Sequence, residues 1–124
     1  MRVERGQPLT GPEIRGFTAA GYRLDDVTVA PSLLLTEARA IDWQPPAIEA
    51  LVPADVEIAL DPLPEFLLLG TGARLRRPSA AFVRALEARG IGVEAMDSRA
   101  AARAWGVIRA EGRRIAAALY PLGA

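Results

Sequence analysis

Phe66-Leu67-Leu68-Leu69-Gly70-Thr71-Gly72 is the stretch on which the fold turns. Its apolar run shows no polar alternation, which fits a strand buried on both faces, and the glycines behind it mark where the chain leaves the sheet. A basic loop through Arg74, Arg76 and Arg77 then leads to a helix expected from about Pro78, since proline suits a first helical turn. On that helix Phe82 and Leu86 stand four apart with Val83 beside them, an apolar stripe that should face a sheet, and Gly90 stands where a helix stop belongs. Ile91 to Ala95 reads as a second apolar strand. Ser98 is the expected N-cap of a second helix, Arg99 to Ala110, which buries Ala101, Ala104, Trp105 and Ile108 and stops at Gly112. Arg114 to Leu119 closes the unit as a last strand. The spacing predicts a β-loop-α-β-α-β unit from Glu65 to Leu119, with right-handed crossovers between parallel strands.

Upstream of this unit the turn signals come too often for helices. Residues 1–12 hold Gln7-Pro8 and Gly11-Pro12 among polar residues and read as an irregular arm. Ala20-Gly21, Asp25-Asp26 and Pro31 then separate the short runs Ile14 to Ala19, Tyr22 to Leu24 and Val27 to Ala30, a meander of hairpins. Ser32 to Thr36 and Ala38 to Trp43 are strand, either one bent strand or two, before Gln44-Pro45-Pro46 ends pairing. Pro53 to Leu60 reads as a short helix with Asp55 and Glu57 near its positive end.

Composition removes many chemistries. The 124 residues suffice for one core, so residues 13–124 are expected to form one domain. Basic and acidic residues balance at 15 each, which leaves no net field for nucleic acid or anionic lipid. Cysteine, histidine and lysine are all absent, so thiolate and Ser-His nucleophiles, Schiff bases, a P-loop lysine and the commonest metal ligands are excluded. No catalytic residue, metal site or cofactor is assigned, and an enzyme is disfavoured. No apolar run reaches the ~20 residues that cross a bilayer, and no leader-like apolar segment follows the N-terminus, so the expected location is cytoplasmic.

Four groupings are left to weigh. Gly70-Thr71-Gly72 after a strand invites a dinucleotide reading, but the G-x-G-x-x-G pattern fails at Leu75, and the helix begins too late to aim its dipole at a phosphate held there. Arg74, Arg76 and Arg77 could grip a carboxylate, a phosphate or an acidic partner, set against the plainer reading of a solvated turn. Asp25-Asp26 has the composition of a hairpin turn, while Glu94 and Asp97 are the other close carboxylates. Tyr22, Trp43, Trp105 and Tyr120 do not alternate with basic residues along a strand, so they read as core or rim aromatics.

Three segments also carry a family resemblance. Leu67-Leu68-Leu69-Gly70-Thr71-Gly72, Gly90-Ile91-Gly92-Val93-Glu94-Ala95-Met96 and Glu111-Gly112-Arg113-Arg114-Ile115-Ala116-Ala117-Ala118-Leu119 resemble the Mth-type domain of unknown function. Gly21-Tyr22 and Trp43-Gln44-Pro45 fit the β-rich first half of that family more loosely. Family members commonly carry a Thr after the Met-containing strand and a Thr-Tyr-Asn group in the next helix, where this chain has Ser98 and Ala104-Trp105-Gly106. The resemblance implies a compact three-layer α/β domain of a bacterial member. The family includes a mitochondrial respiratory complex I assembly factor, which implies a non-enzymatic assembly role.

The expected fold is therefore α/β: a mixed central sheet built from the βαβαβ unit, with an N-terminal β-hairpin layer. The expected function is protein interaction, aiding assembly of a respiratory membrane complex of the complex I type, with protein partners and no nucleic acid. The alternative is a small-anion or nucleotide-binding module at Gly70, Thr71, Gly72, Arg74, Arg76 and Arg77. An uncovered edge strand leaves a homo-oligomer open.

Overall fold

The computed structural model describes residues 11–124, so the arm expected over residues 1–12 lies, but for its last two positions, outside the described residues. The chain opens on an antiparallel meander, β1 (Gly16–Thr18), β2 (Gly21–Arg23) and β3 (Val29–Ala30). β4 (Leu33–Leu35) and β5 (Ala40–Asp42) follow as two separate strands of a hairpin rather than one bent strand. After two 3-10 segments come β6 (Phe66–Gly70), α1 (Ala80–Glu87), β7 (Gly92–Met96), α2 (Ser98–Ala110) and β8 (Ile115–Leu119).

These strands form two sheets, one ordered β1-β2-β3 and the other β5-β4-β8-β6-β7. β6 pairs in parallel with both β7 and β8, as the crossovers require, while β8 pairs antiparallel with β4. The meander alone forms the extra β layer. The second hairpin instead extends the central sheet through β8, which is what makes that sheet mixed.

Pleating sends alternate residues of the central strands to opposite faces. Leu67 and Leu69 join Phe82 and Leu86 of α1, together with Val56 and Leu60, in one apolar cluster. Leu68 joins Trp105 and Ala101 of α2, and Tyr22 of the meander, in the other. The layers are therefore α1 with the 3-10 segments, the central sheet, and α2 with the meander. Moving from β6 to β7 and then back past β6 to β8 reverses direction, so two crossovers of one hand need helices on opposite faces.

Three local readings are corrected. Pro53–Leu60 is helical as expected, but it is a 3-10 helix throughout. Asp55 reaches back to accept from the Val52 N–H at 2.9 Å, and Val56 and Ala59 bury at the three-residue spacing that a 3-10 turn stacks. The N-cap of α2 is Asp97, whose side chain accepts from Ala100 N at 2.9 Å, so Ser98 lies inside the first turn, freed for another role. α1 begins at Ala80, because Ser79 takes the cap by accepting from Phe82 N at 3.1 Å. A 3-10 turn at Ile48–Ala50 gave no signal beyond its flanking prolines.

Leu69 is fully buried in the layer beneath α1. Leu69→Ala is expected to lower unfolding stability by about 2–5 kcal/mol, read as a shifted urea midpoint at unchanged slope.

Candidate functional site

β6 and β7 are neighbouring parallel strands whose following helices pack on opposite faces of the sheet. In open α/β sheets a crevice forms at the carboxyl ends of such a pair, and ligands settle there. Gly70-Thr71-Gly72 and Asp97-Ser98 stand at that place. The chain itself fills it.

Four amides along the strand exit are engaged internally. Thr71 N donates to Met96 O at 2.9 Å, Gly72 N to Ser98 Oγ at 2.8 Å, Ala73 N to Ala124 O at 2.9 Å, and Arg76 N to Thr71 Oγ1 at 2.8 Å. A phosphate cradle needs several free N–H groups turned one way, and these are already committed. The glycines serve that close approach. Gly72 has φ +107°, and a Cβ there would fall 2.2 Å from Ala124 O, while one on Gly70 would crowd Leu119 and Ser98 at about 3 Å.

Ser98 is the junction of this closure. Its buried hydroxyl accepts from Gly72 N and donates to Tyr120 O at 3.0 Å, and the Tyr22 hydroxyl donates to the same carbonyl. Meander, strand exit, second helix and C-terminal segment therefore meet through one hydroxyl and one carbonyl. A serine at the start of a helix suggested a cap, and nothing local revealed this longer reach.

The other groupings are placed as follows. Asp25 accepts from Val27 N, Thr28 N and Thr28 Oγ1 at 2.8, 2.7 and 3.0 Å, and these bonds hold its carboxyl below the usual range in an exposed turn. Asp97 caps α2 and Glu94 is exposed on β7, so the carboxylates do not converge. Trp105 is core, its indole N–H reaching Pro12 O at 3.2 Å. Trp43 stands edge-on to Tyr120, centroids 5.3 Å apart, and donates to Asp55 O at 3.0 Å.

Arg74 and Arg77 are exposed beside the strand exit, and Arg76 is half-buried. The Arg76 Nε and the Tyr120 hydroxyl are both buried without a hydrogen-bond partner among the described residues. A shallow groove of about 390 Å³ runs from Arg77 along the flank of α1, with Val83, Val93 and Ala95 on its floor and Arg84 on its rim.

A mixed sheet carrying one parallel βαβαβ unit and flanked by a three-stranded meander is the architecture of the Mth938-like domain. The solution structure of a Bordetella pertussis protein so described superposes with a TM-score of 0.80 at 24% identity, covering 99% of this chain and 94% of that one. The model of a protein family of unknown function, DUF498/DUF598, matches residues 14–120, and the chain belongs to that family. A Xanthomonas campestris protein solved by NMR is 34% identical, with a TM-score of 0.77 and coverage of 90% of this chain and 86% of that one. The NADH dehydrogenase (ubiquinone) 1 alpha subcomplex assembly factor 3 of Danio rerio is 29% identical over 123 residues, 98% of this chain and 71% of the relative.

The chain has two tyrosines, and both phenols are pushed up to about 12, Tyr22 by burial and Tyr120 by burial and then by the Asp55 carboxylate. A folded-state value raised above the ordinary 10.0 favours the protonated form, so this stabilisation is complete below pH 10 and is lost as pH rises towards 12. Tyrosinate absorbance of the native protein is expected to appear only near pH 12, and in denaturant near 10; a native midpoint at the denatured value would contradict it. Ser98→Ala leaves the Gly72 N–H buried and unpaired, and is expected to cost about 1–3 kcal/mol in chemical denaturation.

Proposed function

We propose that this chain is a non-enzymatic protein-interaction domain that aids assembly of a respiratory membrane complex of the complex I type. The observation that carries this reading is the similarity to the Danio rerio assembly factor, which runs across 98% of the chain. Two features of the molecule support it. The crevice where α/β domains commonly hold ligands is closed by the chain's own Ser98, Tyr120 and Ala124, and the carboxylates are spent on turn and cap or stand apart at the surface. Among the described residues no helix is long and apolar enough to cross a membrane; in this reading the domain acts on the membrane complex from the cytoplasmic side.

In this reading Gly70, Thr71 and Gly72 are the frame that presents the arginines, and Arg74, Arg76 and Arg77 are part of the contact surface for an acidic patch on a partner. Guanidinium groups suit that task because their planar donor fork pairs with carboxylates in two-point contact. Affinity purification of the tagged chain from its native host is expected to recover complex I subunits, and the Arg74→Ala/Arg76→Ala/Arg77→Ala variant is expected to recover far less. Recovery of no respiratory subunit from well-solubilised membranes would count against the assembly role. Equal recovery by the variant would move the contact away from these arginines.

A further inference from the structure

β7 is the last strand of the central sheet, and among the described residues it pairs only with β6. Gly92 N donates to Glu65 O at 3.1 Å, and Met96 O accepts from Thr71 N at 2.9 Å, so Gly92, Glu94 and Met96 turn their backbone groups towards β6. In a parallel pair alternate residues face opposite edges. Val93 and Ala95 therefore present both their N–H and C=O groups outwards, and among the described residues nothing pairs with them.

Sheets usually blunt such an edge. The opposite edge strand, β5, is cut to three residues and is soon followed by Pro45 and Pro46. β7 runs five residues in unbroken register with β6, and has no proline.

The two sides of this edge differ in chemistry. On the α1 side lies the groove with Val83, Val93 and Ala95 on its floor and Arg77 and Arg84 around it. Neither guanidinium has a hydrogen-bond or ion-pair partner among the described residues. On the α2 side a depression of about 450 Å³ is floored by Phe66, Leu68, Met96 and Ile108. Its cation, Arg113, is already held by Glu65 at 3.2 Å and lies over the Phe66 ring.

We propose that the β7 edge is a strand-addition site for an extended segment of a partner protein whose side chains alternate acidic and apolar. Backbone pairing to Val93 and Ala95 supplies affinity. The period of two then sends carboxylates to Arg77 and Arg84 on one face and apolar side chains into the depression on the other. A second copy fits poorly: full antiparallel overlap of two β7 strands sets Glu94 directly opposite its own copy, and brings the two Arg84 side chains together on one face. This inference rests on the interaction reading and specifies the class of partner.

The test uses the purified full chain and an end-blocked octapeptide of alternating glutamate and valine, followed by NMR. Binding is expected to slow hydrogen exchange of the Val93 and Ala95 amides, while the Glu94 amide, already turned to β6, stays as it was. Ala95→Pro removes an outward N–H that no β6 bond uses, so the amide spectrum should remain native while affinity falls about tenfold or more. Arg84→Glu should weaken the glutamate peptide similarly and improve binding of a lysine-valine counterpart. Three results would overturn the proposal: no binding to the wild-type chain, equal binding to Ala95→Pro, or a wild-type dimer in sedimentation that this substitution dissolves. Because the peptide assay contains no respiratory protein, its failure leaves the assembly role standing, and failure of the purification experiment leaves the edge site standing.

Discussion

Every layer of this fold is built against β8, which must pair along both edges and be buried on both faces. Its five residues, Ile115 to Leu119, are all buried, with β4 antiparallel on one side and β6 parallel on the other. Three of the five are alanine. Ala116 and Ala118 lie under the α1 layer, and Ala117 shares the opposite cluster with Trp105. Small side chains at the centre of the sheet allow Phe82, Trp105 and Tyr22 to approach it closely, and larger residues there would cost about 1–3 kcal/mol through overpacking. Without β8, the parallel unit and the β4-β5 hairpin share no strand.

That arrangement explains what could be read from the chain beforehand. The unbroken apolar run Leu67-Leu68-Leu69 announces burial on both faces, and alternation then deals Leu67 and Leu69 to one cluster and Leu68 to the other. Apolar stripes located both helices within two residues. The sequence could not say which hairpin joins the central sheet, because β3 and β4 are short, adjacent and similar in apolar content. Pairing partners lie far away along the chain, and Leu34 finds Ala118 through register rather than through any local signal. The cap of α2 was displaced by one residue because Asp97 and Ser98 are both good caps. The choice falls to Asp97 because Ser98 is needed by Gly72 and Tyr120.

The glycine-rich strand exit shows how one local signal can have two causes. Gly70 and Gly72 are required by close backbone approach, whereas the sequence marked them only as the place where the chain leaves the sheet. What approaches was not legible: it is Ser98 and Ala124, from far along the chain, rather than a phosphate. Residues whose role is set by distant contacts, such as Ser98, carry no mark of it in their neighbourhood. The free edge of β7 was open in the same sense. An uncovered strand was anticipated, but its identity depends on the order β5-β4-β8-β6-β7, and that order is a property of the whole sheet.

The proposed assembly role is tested most directly on the respiratory membrane rather than on the domain. Removing the gene from its native host and quantifying complex I by native gel electrophoresis and NADH-dependent respiration tests the assembly role without assuming where the contact lies. The account predicts a fall in the fully assembled complex, at undiminished subunit transcript levels, that the wild-type chain restores. Normal amounts of active complex in the deletion strain would contradict it.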